Sequence, residues 1–293
     1  MSKSRLSWAR QRGERKAREL GYDAFPIDPF AIAEGEDIFV MAKPPDQPGV
    51  SGGIIFGDQV GIFYSTTIRS TGFQRFTVAH ELGHFFLEGH PDEILKTAVA
   101  HISKAGFTEG GSAIELEADH FASGLLLPTR LVQQQLDREK IGLEGIEALA
   151  EISNCSLTAS AIRAAECGTY PMAIVVSRGD RVQYAFLSEG FKKLGRLEFL
   201  RKGTGLPDTL TRRFNRNSDN VGGGKRACEA TTLNDWFGGS RSIELDEQVI
   251  GLGSYGLTLT ILSSESLPYE DEGEGDEEAE LIESYTPKFA YGR

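Results

Sequence analysis

Apolar residues recur along this 293-residue chain with two different periods. Between residues 3 and 20 the spacing of Leu6, Ala9, Ala17 and Leu20 predicts a helix with a loose apolar face. Asp28 stands before Pro29, the order of an N-cap and a first helical residue, and predicts a short helix through Ala33. DIFVMA, GVSGGIIFG and VGIFYS follow as short β-rich runs, punctuated by Pro44-Pro45 and Gly57-Asp58, the pattern of a small meander. Apolar residues at 76, 79, 82, 86 and 87 then mark a helix from Phe76 to Leu87. Residues 89–111 read as a polar, glycine-bearing connection. Beyond it Ser112 can cap another helix, with Glu115 at the reciprocal capping-box position, and Pro128 stops that helix after Leu127.

The segment LEGIEALAEISNCSLTASAIRAAECG resembles a helix-turn-helix through Ile146, Leu149, Ile152, Leu157 and Ile162. No cluster of base-reading Arg, Asn or Gln accompanies it, so two packed structural helices are the expectation. After Pro171 the character changes. MAIVVSRGDRVQYAFLS reads as a hairpin with Gly179-Asp180 at its turn, and VIGLGSYGLTLTILS as a late strand or pair of strands. The pattern therefore predicts an α+β chain. Residues 1–168 form one domain that includes the helical segment 143–167, residues 169–264 a second α+β domain, and residues 265–293 an acidic, disordered tail.

Composition narrows the class. The hydrophobic share of 40% supports real cores, and no run approaches the roughly twenty apolar residues of a membrane helix. The basic N-terminal stretch lacks the apolar centre of a secretory signal. Cys155, Cys167 and Cys228 are odd in number and form no C-x-x-C pair, which argues against a disulfide framework and a cysteine zinc knuckle. A cytoplasmic protein without membrane partners is expected. The net charge of −12 is unevenly placed. Residues 270–280, EDEGEGDEEAE, are almost all acid and glycine, whereas residues 191–226 carry Lys192, Lys193, Arg196, Arg201, Lys202, Arg212, Arg213, Arg216, Lys225 and Arg226 against only Glu198, Asp208 and Asp219. A solvated face accounts for such a run. The sharper reading is an anionic partner, with single-stranded DNA held by charge and by stacking on Phe191, Phe199 and Phe214, and with the acidic tail as competitor.

The chemistry concentrates in RFTVAHELGHFFLEGH, residues 75–90. On a helix, His80 and His84 stand one turn apart on one face and can present both imidazoles to one ion. Glu81 leaves from the adjacent edge, placed for a general base in the H-E-x-x-H arrangement. Gly83 inside this helix costs about 1 kcal/mol relative to alanine, which suits close approach by another element such as the sheet or the substrate. A catalytic zinc needs a third protein ligand, and the next helix, AIELEADHFASGLLLP, supplies candidates. Glu115 and Asp119 share a face, so Glu115 is the expected ligand and Asp119 the group that orients a ligand histidine through its far nitrogen. Glu117 falls about 160° away and should face solvent, and His120 points about 100° from the ligand face.

These two stretches resemble the ImmA/IrrE family of metallopeptidases, whose pattern runs R-F-T-x-A-H-E-x-G-H and then E-x-x-x-N/D-x-x-A-x-x-L-L-M-P. FPIDPFAIAEGEDIFV and SGGIIFGDQVGIFYSTT extend the likeness, which covers about residues 5–165. It implies a zincin-like minimal metallopeptidase domain with a small antiparallel sheet, metal ligands His80, His84 and Glu115, and Glu81 as catalytic base. It further implies a zinc-dependent endopeptidase that cleaves a helix-turn-helix repressor in response to a signal such as DNA damage, stress or phage. Asp119 replaces the family's commoner Asn, and Leu127 the usual Met; both keep the required chemistry. Some members carry a GAF-like sensor domain, which the second domain here could match.

Zinc is the default for two histidines and a carboxylate, with manganese or iron also compatible. A donor must stabilise the developing oxyanion; Tyr64, His90, His101 and His120 are unranked candidates. The strand GIFYS is the expected edge for an extended substrate segment. The competing reading is a peptidase-like scaffold that acts mainly as a nucleic-acid or ligand-binding sensor through its basic second domain.

Overall fold

The computed structural model describes residues 3–43, 50–67, 69–104, 113–240 and 242–267. Pro44-Pro45, the Ser112 cap and the acidic run 270–280 lie outside the described residues. Among the described residues the chain divides into two compact units: one comprises the residues up to Val132 and Leu149–Ser160, the other Gln133–Ala148 and residues 161–267.

The first unit opens with helix α1 (Lys3–Glu19) and helix α2 (Pro29–Gly35). Asp28 caps α2 by accepting from the Phe30 amide. Strands β1 (Phe39–Lys43), β2 (Val50–Phe56) and β3 (Val60–Ser65) precede the long helix α3 (Thr71–Phe86). Helix α4 (His90–Leu95) and strand β4 (Ala100–Lys104) occupy the stretch that reads as a plain connection, and helix α5 (Ala113–Leu126) follows.

The sheet order is β1-β3-β2-β4, with β1 parallel to β3 and the other pairs antiparallel. A meander would have placed β1 beside β2 in a purely antiparallel sheet. The alternation within a strand sets which face is buried but not which neighbour it takes, so the order was not legible. One consequence is functional. The GIFYS strand, β3, is paired on both sides and offers no edge to a substrate, whereas β4 is an edge strand.

Helix α3 packs between the sheet and α5. Ile54 and Ile62 from the sheet, Val78, Ala79 and Leu82 from α3, and Phe121, Ala122 and Leu125 from α5 form the core. Helix α1 lies against α5 through two glycines: a Cβ on Gly13 would sit 2.2 Å from the Phe121 carbonyl oxygen, and one on Gly124 would sit 2.2 Å from that of Arg10. The backbones therefore meet directly, which explains how so polar a helix docks. Arg75, the motif arginine, is buried and donates to the Ile27 carbonyl next to the α2 cap.

Helices α6 (Thr129–Leu136), α7 (Leu143–Ser153) and α8 (Leu157–Cys167) follow. Asn154, at φ 55°, makes the left-handed turn after α7 that asparagine tolerates. Ile146, Leu149 and Ile162 are buried as the helical pattern demands, but Ile152 is exposed.

The second unit is built on a five-stranded antiparallel sheet of β5 (Ala173–Arg178), β6 (Arg181–Leu187), β7 (Arg226–Thr232), β8 (Glu244–Gly251) and β9 (Thr258–Ser263), in the order β6-β5-β9-β8-β7. The hairpin around Gly179-Asp180 and the late pair β8 and β9 stand where the sequence puts them. All six residues of the central strand β9 are buried, as expected for a strand covered on both faces. Short helices α9 (Glu189–Lys192), α10 (Leu210–Asn215), α11 (Ser218–Gly222) and α12 (Leu233–Phe237) occupy the long connections. Phe191, Trp236 and Phe237 pack with Val175 and Leu262 in one cluster; Leu210 and Phe214 pack with Val249 in another. Leu267 is buried in the first of these.

Candidate metal centre

Helix α3 begins at Thr71, five residues before the start that apolar spacing predicts, and is capped by Ser70, whose hydroxyl accepts from the Phe73 amide. From Arg75 to His84 every residue is buried. A helix covered on all sides carries His80, Glu81 and His84 into the core, the last two with no exposed surface. Gly83 faces α5: a Cβ there would meet the Ala118 Cα at 3.0 Å. The close neighbour is thus α5, rather than the sheet or a substrate.

His80 Nε2 and His84 Nε2 face each other at 3.2 Å. Glu115 brings one carboxylate oxygen to 3.5 Å from His80 Nε2 and the other to 3.3 Å from His84 Nε2. Atoms bound tetrahedrally at zinc distances stand about 3.3 Å apart, so these three edges fit one small cation. His101 of β4 joins them; its Nε2 lies 2.8 Å from Glu115 Oε1. That approach does not meet hydrogen-bond geometry, and both atoms are buried without a hydrogen-bond partner. Orphaned polar atoms of this kind are costly unless something else satisfies them. The donor set therefore fits a divalent metal.

Around this cluster, His80 Nδ1 pairs with Asp119 Oδ1 at 2.8 Å, the carboxylate–imidazole contact expected of Asp119. Ser103 Oγ donates to Glu81 Oε1 at 2.6 Å, and Glu81 Oε2 is buried without a partner. Glu117 does not face solvent. It is buried, with Oε2 2.8 Å from Arg5 Nε and 3.2 Å from His90 Nε2. Two elements invisible to angular reasoning on α5 alone, α1 and α4, close over that side of the helix.

Electrostatics separate the groups. Burial pushes Glu81 up to about 7, against opposing pulls from His80 and Ser103. Burial takes His84 down to about 3, although Glu115 works the other way. For His80, burial favours the neutral ring but is outweighed by Asp119 and Glu115, which hold it well above its usual value. His101 is also raised: burial opposes, and the contact with Glu115 prevails. Glu115 is held far below the carboxylate range because His101, His80 and His84 together outweigh its burial. His90 is lowered by burial, with Glu117 opposing.

Of the four oxyanion candidates, only His101 enters the cluster. His90 lies behind His84, and Tyr64 packs edge-on against Phe30 in the core. Sequence reasoning missed Ser103 and the strand that carries it. The alternation in AHISK, which puts His101 and Ser103 on one face two residues apart, was the available signal.

The basic segment is less open than its composition implies. Lys192 pairs with Glu189, Arg213 with Glu229, and Arg216 lies 3.9 Å from Asp208. Phe191 and Phe214 are core residues, so the expected stacking platform is corrected; Phe199 alone of the three is exposed. Lys193, Arg196, Arg201 and Lys202 are on the surface.

Residues 33–163 match the peptidase M78 family model, described as the IrrE N-terminal-like domain. Over this segment the chain is similar to that family. The matched segment runs from α2 into α8 and contains the whole His/Glu cluster. Helix α1, and Arg5 with it, precedes the matched segment. No curated protein matches the sequence. A solved structure titled Mycobacterium tuberculosis transcriptional regulator is similar at 13% identity and a TM-score of 0.54, over 87% of this chain and 76% of that one. At that identity the likeness is one of fold. Among the described residues, no helix is long and apolar enough to cross a membrane.

Proposed function

We propose that the protein is a metal-dependent endopeptidase whose substrate is a helix-turn-helix transcriptional repressor. The observation that carries the reading is the triangle of His80 Nε2, His84 Nε2 and Glu115 with edges of 3.2, 3.3 and 3.5 Å, beside a buried Glu81 with one unpartnered oxygen. His80, His84 and Glu115 would hold zinc, or manganese. The ion supplies Lewis-acid polarisation and eases deprotonation of water near neutral pH. Glu81, raised towards neutrality by burial, is in the range where a carboxylate both takes and returns a proton. Ser103 fixes one of its oxygens and leaves the other to accept that proton. Asp119 holds the His80 ring, and His101 is the group placed to donate to a developing oxyanion.

An extended segment can pair along the edge strand β4, since main-chain pairing gives affinity with little sequence demand. The alternation of β4 turns His101 and Ser103 towards the cluster while Ile102 is exposed. The repressor substrate is supported by the family match and by the transcriptional-regulator title of the similar structure. The five-stranded second unit is then a GAF-like sensor, and its surface residues Lys193, Arg196, Arg201 and Lys202 take an anionic signal such as single-stranded DNA. Incubating the protein with a co-encoded repressor and zinc tests the reading. A defined fragment from the wild type and none from Glu81→Gln supports it; cleavage that persists in Glu81→Gln removes Glu81 as base.

A further inference from the structure

Behind the triangle, on the far side of His84, lies a second row of polar groups that no ligand assignment uses. His84 Nδ1 is 3.2 Å from His90 Nδ1, His90 Nε2 is 3.2 Å from Glu117 Oε2, and the same oxygen is 2.8 Å from Arg5 Nε. His84, His90 and Glu117 are all buried. The row crosses four elements: α3 contributes His84, the start of α4 His90, α5 Glu117 and α1 Arg5.

The protons in this row can be placed by elimination. Between two imidazole nitrogens in contact, one must donate and the other accept. Suppose His90 Nδ1 donates. The neutral ring then turns a bare Nε2 towards the Glu117 carboxylate, which is repulsive, and His84 carries its own proton on Nε2, aimed at Glu115 and blocking any ion. The opposite order satisfies every contact. Arg5 and His90 Nε2 both donate to Glu117, His90 Nδ1 accepts from His84 Nδ1, and His84 Nε2 is left with a free lone pair inside the triangle. Glu117 thus selects the His90 tautomer, and His90 selects that of His84.

We propose that His90 and Glu117, anchored by Arg5, are positioning residues that fix His84 in the metal-binding tautomer. His84 is thereby oriented by a histidine-carboxylate relay, whereas His80 is oriented directly by Asp119. Arg5 lies outside residues 33–163, so the helix that precedes the family domain completes the support of its metal centre. Outer partners of this kind change metal affinity roughly 10- to 100-fold when removed.

The inference rests on the proposed metal site, and the experiment separates the two. Zinc affinity is measured by competition with a chromophoric chelator in the wild type, His90→Phe, His90→Asn and Glu117→Leu, with the thermal midpoint of each metal-free protein as the folding control. The phenyl ring keeps volume but cannot accept; the asparagine oxygen can stand where Nδ1 stood. The expected result is a loss of about 10- to 100-fold in His90→Phe and substantial recovery in His90→Asn. Imidazole ¹⁵N shifts of the zinc-loaded wild type are expected to show a proton on His84 Nδ1 and on His90 Nε2. A folded His90→Phe with wild-type affinity, or the opposite tautomer of His84, overturns the relay. If His90→Phe does not fold, Glu117→Leu, which leaves His90 Nε2 no acceptor, decides, and an unchanged affinity there overturns it. A wild type that binds no zinc defeats the metal site itself.

Discussion

Ser103 Oγ donates to Glu81 Oε1 at 2.6 Å, and this contact ties the edge strand β4 to helix α3. It favours the ionised carboxylate, opposing the burial that raises the pKa of Glu81 to about 7. Ser103→Ala removes that opposition, so Glu81 ionises at higher pH. Activity that depends on the ionised base rises with pH through this value. The acid limb of the pH–rate profile is therefore expected to move to higher pH, with a rate loss of roughly tenfold at neutrality. Steady-state cleavage rates across pH check this; an unmoved limb contradicts the coupling.

Metal uptake should release protons. In the metal-free site His80 and His101 are both held above their ordinary values by neighbouring carboxylates, against burial. Ligand nitrogens must be bare. Zinc binding near neutral pH is expected to displace about one proton, that of the ligand His80, and affinity to weaken as pH falls. Calorimetric titration in buffers of different ionisation enthalpy reads the number directly.

Much of this site was legible because its chemistry is written at helical spacing. His80 and His84, one turn apart, and Glu115 and Asp119, again one turn apart, meet as that spacing requires. The rest depends on which elements become neighbours. Glu117 looks solvent-facing when α5 is considered alone, and is buried because Arg5 and His90 arrive from elsewhere in the chain. Strand β4 escaped notice because its pattern is short and half polar. Phe191 and Phe214 sit among basic residues in sequence yet point into cores, since the period of the local helix decides their direction rather than the charge of their neighbours.

The α1–α5 crossing gives a stability prediction with a sign that propensity alone would reverse. Alanine is a better helix former than glycine by about 1 kcal/mol. A Cβ on Gly13, however, would lie 2.2 Å from a carbonyl oxygen and 2.7 Å from the Leu125 amide nitrogen, so overpacking of roughly 1–3 kcal/mol prevails. Gly13→Ala is expected to lower the urea midpoint. Gly35→Ala, where nothing lies within 4 Å, serves as the control and should be neutral or stabilising.

In the second unit the buried Glu247 carboxylate accepts from Thr209 Oγ1, the Thr211 amide and hydroxyl, and Trp236 Nε1. It pins α10 and α12 to the sheet. Glu247→Gln replaces one acceptor with a donor amid donors and is expected to cost about 2–3 kcal/mol. Denaturant unfolding of the two proteins measures it; equal midpoints would remove the carboxylate from the account of this core.

The central claim is that one divalent ion is held by His80, His84 and Glu115 while Glu81 stands beside it as base. The most direct test is the zinc dissociation constant and stoichiometry of the wild type, Glu115→Ala and Glu81→Gln, measured by chelator competition. The account predicts one tight site in the wild type and in Glu81→Gln, and a loss of about 100-fold or more in Glu115→Ala. Undiminished zinc binding by Glu115→Ala would contradict it.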